Sequence, residues 1–298
     1  MKYGFVGLGQ MGKPMAINLG NSFEVIAYDQ RPDVLPADAR AKQAGTLHDL
    51  SQCTHVFLSL PSSKVLEIVL FDKENGLAGI LQPGTVIVDT STVEYNATVD
   101  IGNRLDAMGL RFLDAPVSGM QKRAEDGTLT MMIGGDAALA RALDPVLRTM
   151  ANKILYMGPR GAGQLTKLIN QLLFDINMAA LAEILPVSVK LGLNPEQVAD
   201  VINSGTGRSY ASEFFLPNIL QGIFDQGYPM GHAYKDLISG AELGARHSIP
   251  LPVLGAATAT YQRALLEGLG DQDKGAMVKV FESLLGVTFR KSGEGDNK

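Results

Sequence analysis

Residues 7–12 read Gly7-Leu8-Gly9-Gln10-Met11-Gly12, three glycines at the spacing of a dinucleotide-binding turn. In a chain of 298 residues with 33 glycines, composition alone produces that spacing about 0.4 times, so the pattern is weak by itself. Its surroundings strengthen it. An apolar strand, Tyr3-Gly4-Phe5-Val6, runs into it, and a helical stretch, Lys13-Pro14-Met15-Ala16-Ile17-Asn18-Leu19, runs out of it. Asp29 closes the next apolar strand, 22 residues after Gly7. In a strand–turn–helix of this kind Gly7 permits the tight turn and Gly9 lets a pyrophosphate approach the backbone. Gly12 lets helix and strand pack closely, and the helix N-terminus faces the phosphates. The expected ligand is a nicotinamide or flavin dinucleotide, held by Gly7, Leu8, Gly9, Gln10, Met11 and Gly12. Asp29 accepts from the adenosine ribose hydroxyls and repels a 2′-phosphate. That favours NAD, while Arg31, beside Gln30, leaves NADP open.

Outward from this motif, apolar strands at 3–7, 24–29, 55–60, 85–89, 110–114, 129–133 and 154–157 alternate with helical stretches at 11–19, 34–44, 63–70, 94–108 and 137–150. The alternation predicts an α/β Rossmann domain, a doubly wound and mostly parallel sheet covered on both faces. From Gly163 to Leu191 the apolar residues recur at helical spacing, interrupted only by Pro186, which reads as one long helix. Helical segments follow at 195–204, 211–224, 232–247, 252–267 and 272–285. The expected organisation is a dinucleotide-binding domain over 1–162, a connecting helix over 163–192, an all-α domain over 193–288 and a disordered tail over 289–298.

Composition removes other classes. The balance of 26 Lys+Arg against 31 Asp+Glu gives a net charge of −5. With no basic run and no Trp, no nucleic-acid partner is expected. Apolar runs such as 56–60 fall far short of the roughly 18 residues of a membrane span, so no membrane partner is expected either. Nothing at the N-terminus resembles a signal peptide. The lone Cys53 allows no internal disulfide, and the four histidines lack metal-ligand spacing. No metal is expected, and the cytoplasm is the expected compartment.

Three further segments carry a resemblance. Asp114-Ala-Pro-Val-Ser118-Gly119 ends a strand, Gly158-Pro-Arg-Gly-Ala-Gly163-Gln-Leu-Thr-Lys167-Leu-Ile-Asn170-Gln171 opens the long helix, and Lys235-Asp236-Leu237 lies in a later one. With the glycine motif in front, the chain resembles the β-hydroxyacid dehydrogenase family from Phe5 to about Leu285. That resemblance implies an NAD(P)-dependent oxidoreductase interconverting a small 3-hydroxy acid and its 3-oxo acid, working as a homodimer or homotetramer, with the active site in a cleft between the two domains. It puts the general acid/base on Lys167 and the substrate's carboxylate on Ser118 and Gly119, beside Met120. It places Leu60, Pro61 and Val65 along the cofactor, Thr92 near the nicotinamide ribose and Lys235 over the cofactor from the helical domain. Asn170 and Gln171, three and four residues after Lys167, share its helical face; their amides can orient the lysine or hold a substrate hydroxyl without adding charge.

Met120 stands where the family often has a second glycine, and Gln171 where it often has a second asparagine. Both changes touch the pocket lining, and Gln171 favours substrates with additional hydroxyls. A lysine is useful as a base only when its pKa falls well below about 10.4, and both burial and a positive nicotinamide ring push that way. The plain alternative is a solvated lysine near a helix start, where the dipole disfavours a cation. Imine reductases share the front motif but usually carry another residue at the lysine position. A non-catalytic nucleotide sensor would be marked by loss of that lysine. Arg208, in a glycine-rich loop, reads more simply as a solvated arginine than as a second anion clamp.

Overall fold

Strand β1 (Tyr3–Val6) is buried along its whole length, as a strand covered on both faces must be. It lies between β2 (Val25–Tyr28) and β4 (His55–Leu58), parallel to both, with Tyr3 level with Val25 on one side and His55 on the other. In this computed structural model, which describes residues 1–291, the sheet continues through β5 (Val86–Asp89) and β6 (Arg111–Asp114), again parallel. The two-residue β3 (Lys42–Gln43) closes the other edge. The order β3-β2-β1-β4-β5-β6 reverses direction at β1 and β4, and in such sheets the ligand crevice opens at the carboxyl ends of the strands flanking that reversal. Beyond β6 the chain bends through β7 (Val117–Ser118), and both pair antiparallel with β8 (Leu129–Gly134). The outer strand β9 (Ala151–Gly158) is parallel to β8. The sheet is doubly wound and mostly parallel, as expected.

Alternate side chains divide between the faces. Phe5, Phe57, Val88 and Leu113 join a core beneath α1 (Gly12–Gly20), α5 (Met120–Glu125) and α6 (Ala137–Leu147). Val56, Leu58, Ile87 and Phe112 join another beneath α2 (Ser63–Phe71), α3 (Leu77–Ile80) and α4 (Tyr95–Ala107). Cys53 belongs to this second core, 2% exposed, and burial pushes its thiol up to about 11.

Between β2 and β3 the structure departs from the expected helix over 34–44. The segment is turns, with Asp33 at a φ of 52°. Pro36 stands inside the expected helix, and a proline disfavours helical backbone at the residue before it. The Gln43 side chain serves in its place, its Oε1 accepting the Val34 and Leu35 N–H groups and its Nε2 donating to the Arg31 carbonyl. The short α3, α5 and β7 are further elements that periodicity did not reveal.

The 29-residue α7 (Ala162–Lys190) runs without interruption through Pro186. Its first six residues belong to the compact unit Met1–Lys167, and the rest to a second unit beginning at Leu168. The second unit is all-helical: α8 (Pro195–Ser204), α9 (Tyr210–Gln221), α10 (Met230–His247), α11 (Pro252–Leu266) and α12 (Val278–Leu285), with a 3₁₀ turn over Lys274–Met277. Asn194 caps α8, with Pro195 at its first position, and a Ser209 capping box starts α9. The core gathers Met178, Ala182 and Leu185 of α7 with Phe215, Leu237 and Tyr261.

Contrary to the sequence expectation, one helix among the described residues is long and apolar enough to cross a membrane: α7, with a mean hydropathy of 1.7 over its best window. The same helix carries the fully buried Asp175, paired with Lys274 and accepting from Tyr261 Oη at 3.2 Å, which is the behaviour of a core helix. Of the tail expected to be disordered, 292–298 lies outside the described residues. Before it, Phe289 is fully buried and Arg290 pairs with Glu282, so order extends past 289.

Candidate active site

The glycine motif behaves as its spacing requires. Gly7 has a φ of 93°, and a Cβ there would sit 2.2 Å from the Ser59 carbonyl oxygen. A Cβ on Gly12 would sit 1.9 Å from the Gly7 carbonyl oxygen, whereas one on Gly9 would meet nothing within 4 Å. Two glycines are therefore demanded by the fold, and the third leaves open space at an exposed backbone, the cradle a pyrophosphate needs. Gln10 beside it is exposed and Met11 packs on the core.

The same loop is tied to the end of β2. Asp29 Oδ2 accepts the Leu8 N–H at 2.7 Å. Its Oδ1 accepts Arg31 Nε at 2.9 Å and the Arg31 N–H at 3.0 Å. Arg31 Nη2 also reaches the Leu8 carbonyl at 3.1 Å. Burial pushes the Asp29 carboxyl up, but the hydrogen bonds from Arg31 and Leu8 outweigh it and hold the group below the usual carboxylate range. Gln30 lies exposed between them.

Beyond β4 and β5 the backbone is held by small polar groups. Leu60, followed by the exposed Pro61, donates its N–H to Ser91 Oγ at 2.8 Å. Val65 donates to Ser62 Oγ in the first turn of α2. Asp89 ends β5 fully buried, with Oδ1 accepting the Ser91 N–H at 3.0 Å and Oδ2 without a partner. Burial, helped by the nearby Asp114, pushes its carboxyl up to about 6. Thr92 follows in the loop.

Asp114, quoted above only as part of a motif, caps α7. Its Oδ1 accepts the Gly161 N–H at 2.7 Å and its Oδ2 the Gln164 N–H at 3.0 Å. Gly163 allows this approach, since a Cβ there would lie 2.4 Å from the Met132 carbonyl oxygen. Lys167, one turn on, is 8% exposed, so it is not a solvated surface lysine. Ser118 ends β7 level with Thr130. Gly119 has a φ of 145° and Met120 a φ of 60°. The Met120 value lies in the left-handed region that L residues seldom adopt, so Met120 holds backbone that glycine takes without cost.

In the helical unit, Asn170 Nδ2 donates to Gln171 Oε1 at 3.4 Å, and Gln171 Nε2 donates to Asp236 Oδ2 at 3.3 Å. Lys235, on α10, is half-buried next to Asp236. Arg208 pairs with Glu213 at 3.6 Å on the surface, as a solvated loop arginine would. No group of His, Cys, Asp and Glu that could hold a metal occurs among the described residues. Sequence reasoning missed Gln164, Asp89 and Asp236, because a buried polar partner leaves no periodic signal.

The chain matches two family models: the NAD binding domain of 6-phosphogluconate dehydrogenase over residues 2–158 and the NAD-binding domain of NADP-dependent 3-hydroxyisobutyrate dehydrogenase over 161–281. It is 39% identical over 296 residues to 2-(hydroxymethyl)glutarate dehydrogenase of Eubacterium barkeri, covering 97% of each chain. It is 37% identical over 288 residues to L-threonate dehydrogenase of Cupriavidus necator, covering 94% of this chain and 96% of the relative. The crystal structure of 3-hydroxyisobutyrate dehydrogenase from Salmonella typhimurium superposes with a TM-score of 0.84 at 28% identity, over 94% of this chain and 100% of that one. With its dinucleotide cradle and buried lysine, the chain belongs to the β-hydroxyacid dehydrogenase family of NAD(P)-dependent oxidoreductases, which interconvert small 3-hydroxy acids and their oxo acids.

Proposed function

We propose that Lys167 is the general acid/base of this dehydrogenase and that its substrate is a 3-hydroxy acid bearing a further polar group. The observation that carries the proposal is a buried lysine with two amide side chains three and four residues further along the same helix. NAD, when bound on the Gly7–Gly12 cradle, supplies the hydride acceptor. Lys167 Nζ takes the hydroxyl proton in the oxidising direction and returns it in the reducing one. Ser118 Oγ and the Gly119 N–H donate to the substrate's carboxylate, beside Met120. The Asn170 and Gln171 amides hold the additional polar group.

On the cofactor side, Leu60, Pro61, Val65 and Thr92 line the nicotinamide half, and Lys235 is the cofactor-binding residue of the helical unit. Asp29 and Gln30 meet the adenosine ribose. Arg31, already engaged with the Asp29 carboxylate, supports NAD over NADP. Residues 1–162 form the cofactor part, 163–192 the connecting helix and 193–288 the helical substrate and dimerisation part. Ile184 on α7 and Leu191 just past its end, 60% and 75% exposed, support a homodimer or homotetramer, because apolar side chains so exposed gain by burial in an interface. A single buried thiol fits a reducing cytoplasm.

The test is absorbance at 340 nm with NAD and NADP separately. The panel comprises L-threonate, 2-(hydroxymethyl)glutarate, L-serine, glycerate and 3-hydroxyisobutyrate. A polar substrate with NAD should give the highest kcat/KM. Preference for 3-hydroxyisobutyrate by the roughly 10- to 200-fold that one small group commands would overturn the role given to Gln171.

A further inference from the structure

Gln164 lies one turn before Lys167 on α7 and is 2% exposed. Its side-chain amide spans the loop after β5. Nε2 donates to the Ser91 carbonyl at 2.7 Å, and Oε1 accepts the Val93 N–H at 3.2 Å. Thr92 stands between the two bonded residues. Ser91 is anchored in turn to Leu60 and Asp89, as described above. The Gln164 backbone N–H is held separately by Asp114. One residue therefore joins the first turn of α7 to the segments that follow β4 and β5 and, through its backbone, to the end of β6.

Two features make this arrangement more than a helix anchor. Asp114 already caps α7, so the helix start is secured without the Gln164 side chain. The side chain bonds a donor and an acceptor two residues apart, which a neutral amide matches and a carboxylate or an alkyl chain does not. Any displacement of Gln164 also carries Lys167, its neighbour at i+3.

We propose that Gln164 is a positioning residue for hydride transfer, fixing the Thr92 loop in register with Lys167. The proposal rests on the reading of Lys167 as acid/base and of Thr92 as a neighbour of the nicotinamide ribose. Gln164 touches neither substrate nor reacting atoms in this role. It sets the distance between the group that moves the proton and the loop that places the hydride acceptor.

Gln164→Leu removes both hydrogen bonds, and Gln164→Glu keeps the acceptor for Val93 while setting a carboxylate against the Ser91 carbonyl. Both are compared with wild type and Lys167→Ala, using the best substrate of the panel. For Gln164→Leu, kcat should fall about 100-fold, the scale on which displacements near 1 Å act. KM values and the NADH dissociation constant from fluorescence should stay near wild type. The primary isotope effect with substrate deuterated at the carbinol carbon should rise as hydride transfer becomes rate-limiting. A folded Gln164→Leu enzyme with wild-type kcat, or one whose losses fall only on KM or melting temperature, overturns the proposal. Where Gln164→Leu does not fold, Gln164→Glu is judged on the same readouts. A Lys167→Ala enzyme with near-wild-type kcat overturns the underlying reading and this proposal together; a Lys167→Ala enzyme slowed by about 100-fold or more beside a fully active Gln164→Leu overturns this proposal alone.

Discussion

Asp89→Asn gives a direct measure of what the sheet tolerates at its carboxyl edge. Asp89 is fully buried, and among the described residues it has no cation partner. Burial first, and Asp114 second, push its carboxyl up to about 6. An unfolded aspartate titrates near about 3.9, so between those values the folded chain binds more protons than the unfolded one. The group's contribution to stability is thus fully present below about pH 4 and is lost as pH rises through about 6. A separation of about 2 pKa units corresponds to ~3 kcal/mol. Asparagine keeps the acceptor for the Ser91 N–H and cannot ionise. Urea denaturation of both proteins from about pH 4 to about pH 7 should show the variant gaining ~3 kcal/mol on wild type across that range, whatever constant offset the amide adds. In thermal melts of a unit this size the gain is about 6–12 °C. A difference between the two proteins that stays flat with pH, or wild type gaining on the variant as pH rises, would refute the reasoning.

Other consequences can be checked as directly. Lys167→Ala should lose about 10²- to 10⁴-fold in kcat, the usual share of a general acid/base, while NADH fluorescence titration gives a near-wild-type affinity. Gly9→Ala should melt like wild type yet bind NADH weakly, because its Cβ meets only open space, whereas Gly12→Ala, with its Cβ 1.9 Å from a carbonyl oxygen, should fail to fold or melt far lower. In the helical unit, Lys274→Met leaves Asp175 buried without its cation and should cost ~3–5 kcal/mol in calorimetry. The double variant Lys274→Met with Asp175→Leu should return close to wild type.

Most of the fold is legible in residues 1–200 because period and punctuation agree there. Tyr3–Val6, Val86–Asp89 and Pro195–Ser204 are apolar or amphipathic runs bounded by Gly, Asp or Asn, so local preference and tertiary demand coincide. Residues 34–44 show the opposite. A helical count of apolar positions was overridden by Pro36 and by a glutamine that satisfies the backbone from the side. Within the site, the glycine cradle and Lys167 could be read because their chemistry requires particular residue types at fixed spacing. Gln164, Asp114 and Asp89 could not, since their roles depend on which strand ends a buried amide or carboxylate reaches. Met120 was legible as a departure from the family, but only its φ of 60° shows that the backbone there still takes a conformation suited to glycine.

Cys53 turns one of these cores into a clock. It is the chain's single thiol, sealed behind β4 and ionising only near about 11, so an alkylating reagent can reach it only while that flank is transiently open. Because there is one thiol per chain, each labelling event reports one opening, and the labelling rate divided by that of a free cysteine gives the population of opened molecules. Followed with and without NADH, the same thiol would reveal how far cofactor binding at the carboxyl ends of the strands quiets fluctuations in the core beneath α2, α3 and α4.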